Sequence, residues 1–168
     1  MTILWSQPVS ALQMLSPDGK WRWVKHIPNA LVSYFSLSEI IKYNTDKVII
    51  KSFVKVVNSG DTMEFLSGGY YKATIHRVVQ PPEDQRAYDR LGMFYSCFTD
   101  DSVVLKPLAE SPVLQRAGIK RRFDDESAPT MEEWRKARTI AYGTSKLTKE
   151  ESGHEVEVVS GIQVKHYN

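Results

Sequence analysis

The 168-residue sequence contains only one cysteine, Cys97. A single thiol cannot form a disulfide within the chain, and it cannot supply the several thiolates of a structural zinc site. A chain without disulfides fits a reducing compartment, so we predict a cytoplasmic protein. The first residues, Met1 to Trp5, carry no basic segment and no cleavage signature, and we therefore expect no signal peptide there.

Long apolar runs and an excess of one charge are also missing. Because no run of about 18 apolar residues occurs, we predict no membrane-spanning helix. The 22 basic and 20 acidic residues leave a net charge of +2, too small to indicate a nucleic-acid or membrane partner. The densest basic cluster, Lys120–Arg122, is followed by the acidic run 124–126, as is typical of a solvated surface stretch.

Short strand signals separated by turns dominate the first hundred residues. The predicted strands and apolar stretches cover residues 1–5, 9–15, 21–24, 54–57, 62–66, 70–79 and 91–98. Ser16–Gly19 is a strong turn signal, since proline presets φ and glycine accepts a positive φ. Asn58–Asp61 is predicted to connect two strands as a hairpin. Together these signals indicate a mainly β fold of the sandwich, jelly-roll or barrel type.

The last third of the chain changes to helical signals. Ser111–Gly118 combines a capping serine, a proline at the first helical position and a terminal glycine, which predicts a short helix. Thr130 and Glu133 form a capping box that opens a helix extending to about residue 142. One face of that helix, expected to pack against the β core, carries Met131, Trp134, Ala137, Arg138 and Ala141. We predict a loosely packed tail with a brief β signal over residues 146–168.

Two residues on successive predicted strands have side chains suited to metal and anion chemistry. A lone strand histidine such as His76 is more often structural, and a lone arginine such as Arg90 is more often a surface charge. Their combination in a β-rich chain favours a site. Imidazole suits iron, which oxygenases hold with two histidines and one carboxylate. A guanidinium can hold a carboxylate through two parallel charge-assisted hydrogen bonds.

Several blocks, in order, resemble the oxygenase domain of isopenicillin N synthase-like enzymes, particularly fungal ones. They are Trp5–Pro8, Leu12–Gln13, Gly19–Trp21, Ile27–Leu31, Val57–Asp61, Glu64–Ala73 and His76–Val78. The resemblance implies a partial double-stranded β-helix (jelly roll) with a C-terminal helix. It also implies an oxidoreductase that uses Fe(II) and 2-oxoglutarate as a dioxygenase on a small-molecule substrate. On this basis residues 1–98 are assigned to the oxygenase domain and residues 99–168 to a helical extension and tail.

The resemblance also assigns roles to single residues. His76 matches the distal iron-binding histidine, and Arg90 matches the arginine that binds the cosubstrate carboxylate. Arg86 is a rival for the second role, but Arg90 leads directly into the strand at residues 93–95. The family usually has a serine two residues after this arginine, and here the position is Gly92. We expect His76 and Arg90 to point into one cavity.

A first departure from the family concerns the other iron ligands. The family places a His-x-Asp motif a few residues before the strand that reads Thr2–Trp5 here, and this chain starts at Met1. His26, His154 and His166 do not have the spacing to replace it. We therefore expect a fragment that binds iron weakly or not at all, is inactive as given, and leaves Thr2–Trp5 as an unpaired sheet edge. The alternative is a degenerate jelly-roll module that binds a ligand without turnover.

A second departure is the segment 32–55, which separates blocks that are nearly adjacent in the family. Thirteen of its 24 residues are Phe, Tyr, Ile, Asn or Lys, which have A/T-rich codons. We hypothesise a retained intron translated in frame; the alternative is a genuine hairpin insertion. A translated intron was never selected to bury apolar side chains, so we expect the isoleucines at 40, 41, 49 and 50 to be exposed.

Overall fold

The computed structural model describes residues 1–28, 30–34, 50–51, 55–142, 144, 146–150 and 155–167. The chain divides into two compact units. Unit 1 comprises Met1–Glu64 and Tyr71–Cys97, and unit 2 comprises Phe65–Tyr70 and Phe98–Asn168. No helix among the described residues is long and apolar enough to cross a membrane. The assignment of functional domains to residues 1–98 and 99–168 stays a prediction.

The described residues of unit 1 form eight short strands in two sheets. The strands are β1 (Thr2–Trp5), β2 (Leu12–Leu15), β3 (Trp21–Trp23), β4 (Ala30–Tyr34), β5 (Ile50–Lys51), β6 (Lys55–Asn58), β7 (His76–Val78) and β8 (Phe94–Ser96). One sheet has the order β5–β4–β6–β1–β8, and the other has the order β3–β2–β7. Strands β4 and β6 run parallel, and the other paired strands run antiparallel.

The core of unit 1 is small. It consists of Leu12, Met14, Val24 and Val56, with the partly buried Leu4 packed against them. The predicted turn at Ser16–Gly19 is confirmed, because Gly19 has φ 75° and donates its N–H to the Ser16 carbonyl at 2.9 Å. Mainly β structure in small sheets is compatible with a jelly-roll-type fold. The partial double-stranded β-helix itself stays a prediction.

The prediction that β1 is an unpaired edge is wrong. Antiparallel ladders join β1 to β6 on one side and to β8 on the other, so its backbone groups are bonded on both sides. Strand β8 lies at the end of this sheet instead. Its Phe94 and Tyr95 are 67% and 68% exposed. The edge that needs protection against unwanted pairing is therefore β8.

The hairpin predicted at Asn58–Asp61 is also wrong, because a helix, α1 (Asp61–Leu66), follows β6. The carbonyl of Gly60 accepts hydrogen bonds from the N–H groups of Met63 and Glu64, which starts a helical turn. Phe65 is buried, so the apolar residue in this stretch is covered without a second strand. The long strand predicted over 70–79 is shortened to β7.

In the part of unit 2 that the structure describes, there are two helices and a three-stranded sheet. The elements are α2 (Pro112–Ala117), α3 (Met131–Ala141), β9 (Thr148–Lys149), β10 (Glu155–Val159) and β11 (Ile162–His166). Both predicted helices are confirmed, including the complete capping box of Thr130 and Glu133 and the glycine that ends α2. The sheet order is β11–β10–β9.

The prediction of a loosely packed tail is wrong for the end of the chain. Val159 and Ile162 of the β10–β11 hairpin are buried with Met131 and Trp134 of α3. Ser160 and Gly161 both have positive φ, 48° and 78°, and form a tight two-residue turn between the strands. The turn brings the apolar residues on either side of it onto one face.

The segment 32–55 lies only partly within the described residues. Its ends take part in β4, β5 and β6, which pair with one another in the larger sheet. Residues 35–49 and 52–54, and the side chains of all four isoleucines, lie outside the described part. The expected exposure of those isoleucines, and the retained-intron hypothesis, therefore stay predictions.

Candidate functional site

His76 is the first residue of β7 and pairs with Met14 of β2. Its side chain is exposed, and its Nδ1 atom lies 2.9 Å from the carbonyl oxygen of Thr74. Because a carbonyl oxygen only accepts hydrogen bonds, Nδ1 carries the hydrogen. The neutral ring then has its lone pair on Nε2, the form in which an imidazole binds a metal ion.

Strand β7 is held in place by the residue that follows His76. The Arg77 guanidinium carbon lies 4.1 Å from the centre of the Trp21 ring of β3. The Arg77 Nε donates to Oε1 of Gln13, on the central strand β2, at 3.0 Å. One side chain thus links all three strands of the sheet. The sequence did not predict this contact. The strand pattern does not show that the strands carrying Trp21 and Arg77 pair with opposite sides of β2.

Arg90 lies in the loop that leads into β8. Its Nε atom is buried and has no hydrogen-bond partner among the described residues. A buried charged donor without a partner is costly in a folded protein, so such a group requires an explanation. A bound carboxylate would supply the missing acceptor. The rival residue differs, because Nε of the exposed Arg86 already donates to the Pro81 carbonyl at 3.2 Å.

His76 and Arg90 both belong to unit 1 but are associated with different sheets. His76 stands on β7 in the three-stranded sheet, and Arg90 precedes β8 in the five-stranded sheet. Their convergence on one cavity stays a prediction. At Gly92 an added Cβ would meet no atom within 4 Å, so a serine side chain has room there.

The described residues do not by themselves fit an iron ion. They contain no group of three or more His, Cys, Asp or Glu side chains placed to hold a metal. His26 has its Nδ1 3.0 Å from the Ser6 hydroxyl, and in unit 2 His166 Nε2 lies 3.3 Å from Glu157 Oε1. His154 lies outside the described part. A single imidazole, His76, does not set the three-ligand geometry that oxygenases use.

Comparison with known proteins identifies relatives. Residues 39–98 match the 2OG-Fe(II) oxygenase superfamily. Gibberellin 20 oxidase 2 of Oryza sativa subsp. japonica is 33% identical over 107 residues, covering 64% of this chain and 20% of the relative. The 2-oxoglutarate-dependent dioxygenase FG08081 of Gibberella zeae is 32% identical over 107 residues, covering 63% of this chain and 24% of the relative. The 2-oxoglutarate-dependent dioxygenase AFUA_1G01000 of Aspergillus fumigatus is 25% identical over 131 residues, covering 73% of this chain and 28% of the relative. No solved structure matches the chain.

These similarities support a 2-oxoglutarate/Fe(II) dioxygenase family member, and the superfamily match itself covers residues 39–98. Fe(II) and 2-oxoglutarate are the cofactors of that family, and its members are oxidoreductases of the dioxygenase type. The chain spans between 20% and 28% of the length of these curated relatives.

Proposed function

We propose that this chain carries the cosubstrate-binding part of a Fe(II)- and 2-oxoglutarate-dependent dioxygenase that oxidises a small organic molecule. Arg90 is the residue that holds a carboxylate of 2-oxoglutarate. The observation that carries this proposal is the buried, unpartnered Nε of Arg90 immediately before β8. A guanidinium with an unused buried donor is preorganised for a carboxylate, because little side-chain freedom is lost when the ligand binds.

His76 contributes one imidazole ligand to the iron centre in this proposal. Its Nδ1 donates to a backbone carbonyl, and this arrangement is typical of metal-binding histidines, which use their second nitrogen to fix the ring. The described residues contain no group of three such side chains that could complete the metal site. We therefore propose that this chain alone binds iron weakly and does not release succinate from 2-oxoglutarate. Succinate release by the purified chain with Fe(II) and ascorbate would overturn this part of the proposal.

A second candidate function is ligand binding without turnover by a degenerate jelly roll. The same two observations favour it, since Arg90 offers an anion site while the described residues lack a three-ligand group. Fe(II), added at a concentration high enough to offset the weak iron binding proposed above, separates the two candidates. In a dioxygenase part, the metal and the cosubstrate share a site, so Fe(II) tightens 2-oxoglutarate binding. In a pure binding module, the affinity for 2-oxoglutarate is independent of Fe(II).

The test of Arg90 is a calorimetric titration of the chain with 2-oxoglutarate. Arg90→Met is expected to weaken binding by roughly 10- to 100-fold, the usual effect of losing hydrogen bonds to a charged group. Arg86→Met removes the same charge from the rival residue and is expected to leave the affinity unchanged. Gly92→Ser restores the hydroxyl that the family has at this position, and it should strengthen binding since the side chain has room.

Each alternative outcome assigns the site differently. Loss of affinity in Arg86→Met but not in Arg90→Met would move the carboxylate site to Arg86. Wild-type protein that shows no 2-oxoglutarate binding, with or without Fe(II), would overturn both candidate functions.

A further inference from the structure

We propose that Ser59 is a positioning residue for His76. Its buried hydroxyl holds the loop that carries the Thr74 carbonyl, and that carbonyl selects the imidazole tautomer with the lone pair on Nε2. The inference rests on the proposed function, in which His76 is a metal ligand, and it adds a residue that fixes the orientation of that ligand. The hydrogen-bond relay itself stands on distances within unit 1.

The outer step of the relay is the bond between His76 and Thr74. The Nδ1–H of His76 donates to the Thr74 carbonyl oxygen at 2.9 Å. An exposed imidazole without a fixed acceptor exchanges between its two neutral tautomers, whereas an acceptor on one side retains one of them. The position of the Thr74 carbonyl therefore decides which nitrogen of His76 can bind a cation.

The inner step is the attachment of Thr74 to Ser59. The N–H of Thr74 donates to the Ser59 carbonyl at 3.0 Å, and the two hydroxyl oxygens lie 3.2 Å apart. The Ser59 hydroxyl donates to the Lys72 carbonyl at 2.6 Å. Since a hydroxyl has only one hydrogen, the Thr74 hydroxyl is the donor in the contact between them. Ser59 is 1% exposed, so water does not compete for these bonds.

Ala73, the residue between Lys72 and Thr74, is held by a hydrogen bond of its own. The N–H of Ala73 donates to Oε2 of Glu64, on α1, at 2.8 Å. Lys72 and Thr74 are bonded to Ser59, which lies between β6 and α1, Ala73 is bonded to α1 itself, and β7 begins two residues after Thr74. The Thr74 carbonyl is thus fixed from the loop side by Ser59 and from the strand side by the pairing of β7 with β2.

The relay also explains why a serine is useful at position 59. A hydroxyl is the smallest side-chain group that can donate to one oxygen and accept from another at the same time. Alanine at this position would leave the Lys72 carbonyl and the Thr74 hydroxyl without these partners in a site closed to water. The loop would then relax, and the Thr74 carbonyl would no longer be held at bonding distance from Nδ1.

The experiment is a two-bond proton–nitrogen correlation spectrum of the ¹⁵N-labelled full chain, recorded at a pH where imidazoles are neutral. The wild type is expected to show His76 with hydrogen on Nδ1. In Ser59→Ala the ratio of the two tautomers should shift about two- to fivefold towards Nε2–H, as expected for weakening one neutral hydrogen bond. Thr74→Val keeps the side-chain shape, removes the other hydroxyl and should shift the ratio in the same direction.

A matched control comes from a second serine–histidine pair in the same unit. Ser6 is buried, and its hydroxyl lies 3.0 Å from Nδ1 of His26. Ser6→Ala should alter the His26 signals and leave those of His76 unchanged, whereas Ser59→Ala should do the reverse. If Ser59→Ala does not fold, Thr74→Val together with Ser59→Thr, which keeps the hydroxyl, decides the question.

Two results would overturn the proposal. One is a wild-type His76 with hydrogen on Nε2; the other is an unchanged His76 tautomer in folded Ser59→Ala or Thr74→Val. Titration of the same samples with 2-oxoglutarate separates this outcome from failure of the proposed function. A shifted tautomer in protein that does not bind 2-oxoglutarate would leave the relay standing and reject the dioxygenase assignment of the site.

Discussion

The two units differ in the aromatic content of their cores. In unit 2, Phe65, Phe123 and Trp134 pack edge to face with ring centres 5.1 to 6.0 Å apart, and Trp134 is 3% exposed. In unit 1, Phe94 and Tyr95 are more than 60% exposed. Unit 2 therefore has an aromatic cluster in its core, although its Phe98 and Tyr142 are 56% and 87% exposed, whereas the core cluster of unit 1, which carries the candidate site, contains no aromatic residue.

The difference follows from the composition of the two cores. Unit 1 has four buried apolar residues in its cluster, none of them aromatic, spread over two small sheets. Unit 2 has six, including a phenylalanine and a tryptophan. Aromatic rings contribute much of the buried area in a small core, so unit 2 gains more from each buried residue. Most of the superfamily match, residues 39–98, falls in unit 1.

The largest effect is expected from Trp134→Ala. Removing the indole from the centre of the unit 2 core should lower the free energy of unfolding by about 3 to 5 kcal/mol. Urea denaturation followed by circular dichroism measures the change. The matched control is Trp23→Ala in unit 1, where the side chain is 42% exposed and the expected loss is below about 1 kcal/mol. Equal losses in the two variants would contradict the comparison.

A smaller, pH-dependent effect is expected at the start of α3. The Thr130 N–H and hydroxyl donate to the Glu133 carboxylate at 2.7 and 3.0 Å and lower its pKa from the ordinary 4.5. The ionised capping box stabilises the folded state above the ordinary pKa. This stabilisation is lost as the pH falls through the lower folded pKa, because protonation of Glu133 removes the acceptor.

Measurements of the free energy of unfolding between neutral pH and pH 3 test the direction of this pH dependence. Glu133→Gln should flatten the decline below about pH 4.5, the ordinary pKa of a glutamate. Glu110→Gln removes the same charge from an exposed residue outside the capping box and should leave the decline in place. A Glu133→Gln curve that parallels the wild type at low pH would show that ionisation of Glu133 does not contribute to stability.

The smallest effect on stability is expected from Phe94→Lys on the edge strand β8. Because the ring is mostly exposed, the free energy of unfolding should change by less than about 0.5 kcal/mol. Binding of an apolar dye and the rate of aggregation should both fall, since a lysine on an edge strand opposes pairing with other chains. Val56→Lys, at a residue that is 1% exposed, is the buried counterpart and should unfold unit 1. A large loss of stability in Phe94→Lys would show that β8 is covered in solution.

Local signals in the sequence predicted the local structure well. The capping box at Thr130, the proline and glycine that bound α2, and the turn at Ser16–Gly19 are all confirmed. Each of these signals depends on interactions between residues only a few positions apart, so the sequence pattern contains the whole cause. Helix α1 was missed because the short stretch Thr62–Leu66, with three apolar residues, fits either a strand or a helix, and Phe65 is buried in the helical form.

The sequence did not predict which distant strands pair with one another. The register that places β1 between β6 and β8 joins segments about 50 and 90 positions apart in the chain. The C-terminal hairpin was predicted as a loose tail because its polar residues outnumber its apolar ones. Three of its five apolar residues are nevertheless buried, and two of these, Val159 and Ile162, pack against α3 because the tight turn places them on one side.

The sequence alone therefore determined the mainly β class, the helix boundaries in the last third, and the two candidate residues, His76 and Arg90, through their resemblance to a known family. Tertiary structure alone decided the environment of those residues. The unpartnered Nε of Arg90 and the link from Ser59 through Thr74 to His76 depend on distances between segments that the chain order does not specify. Hydrogen bonds act only over about 3 Å, so only the folded chain shows which polar groups have partners.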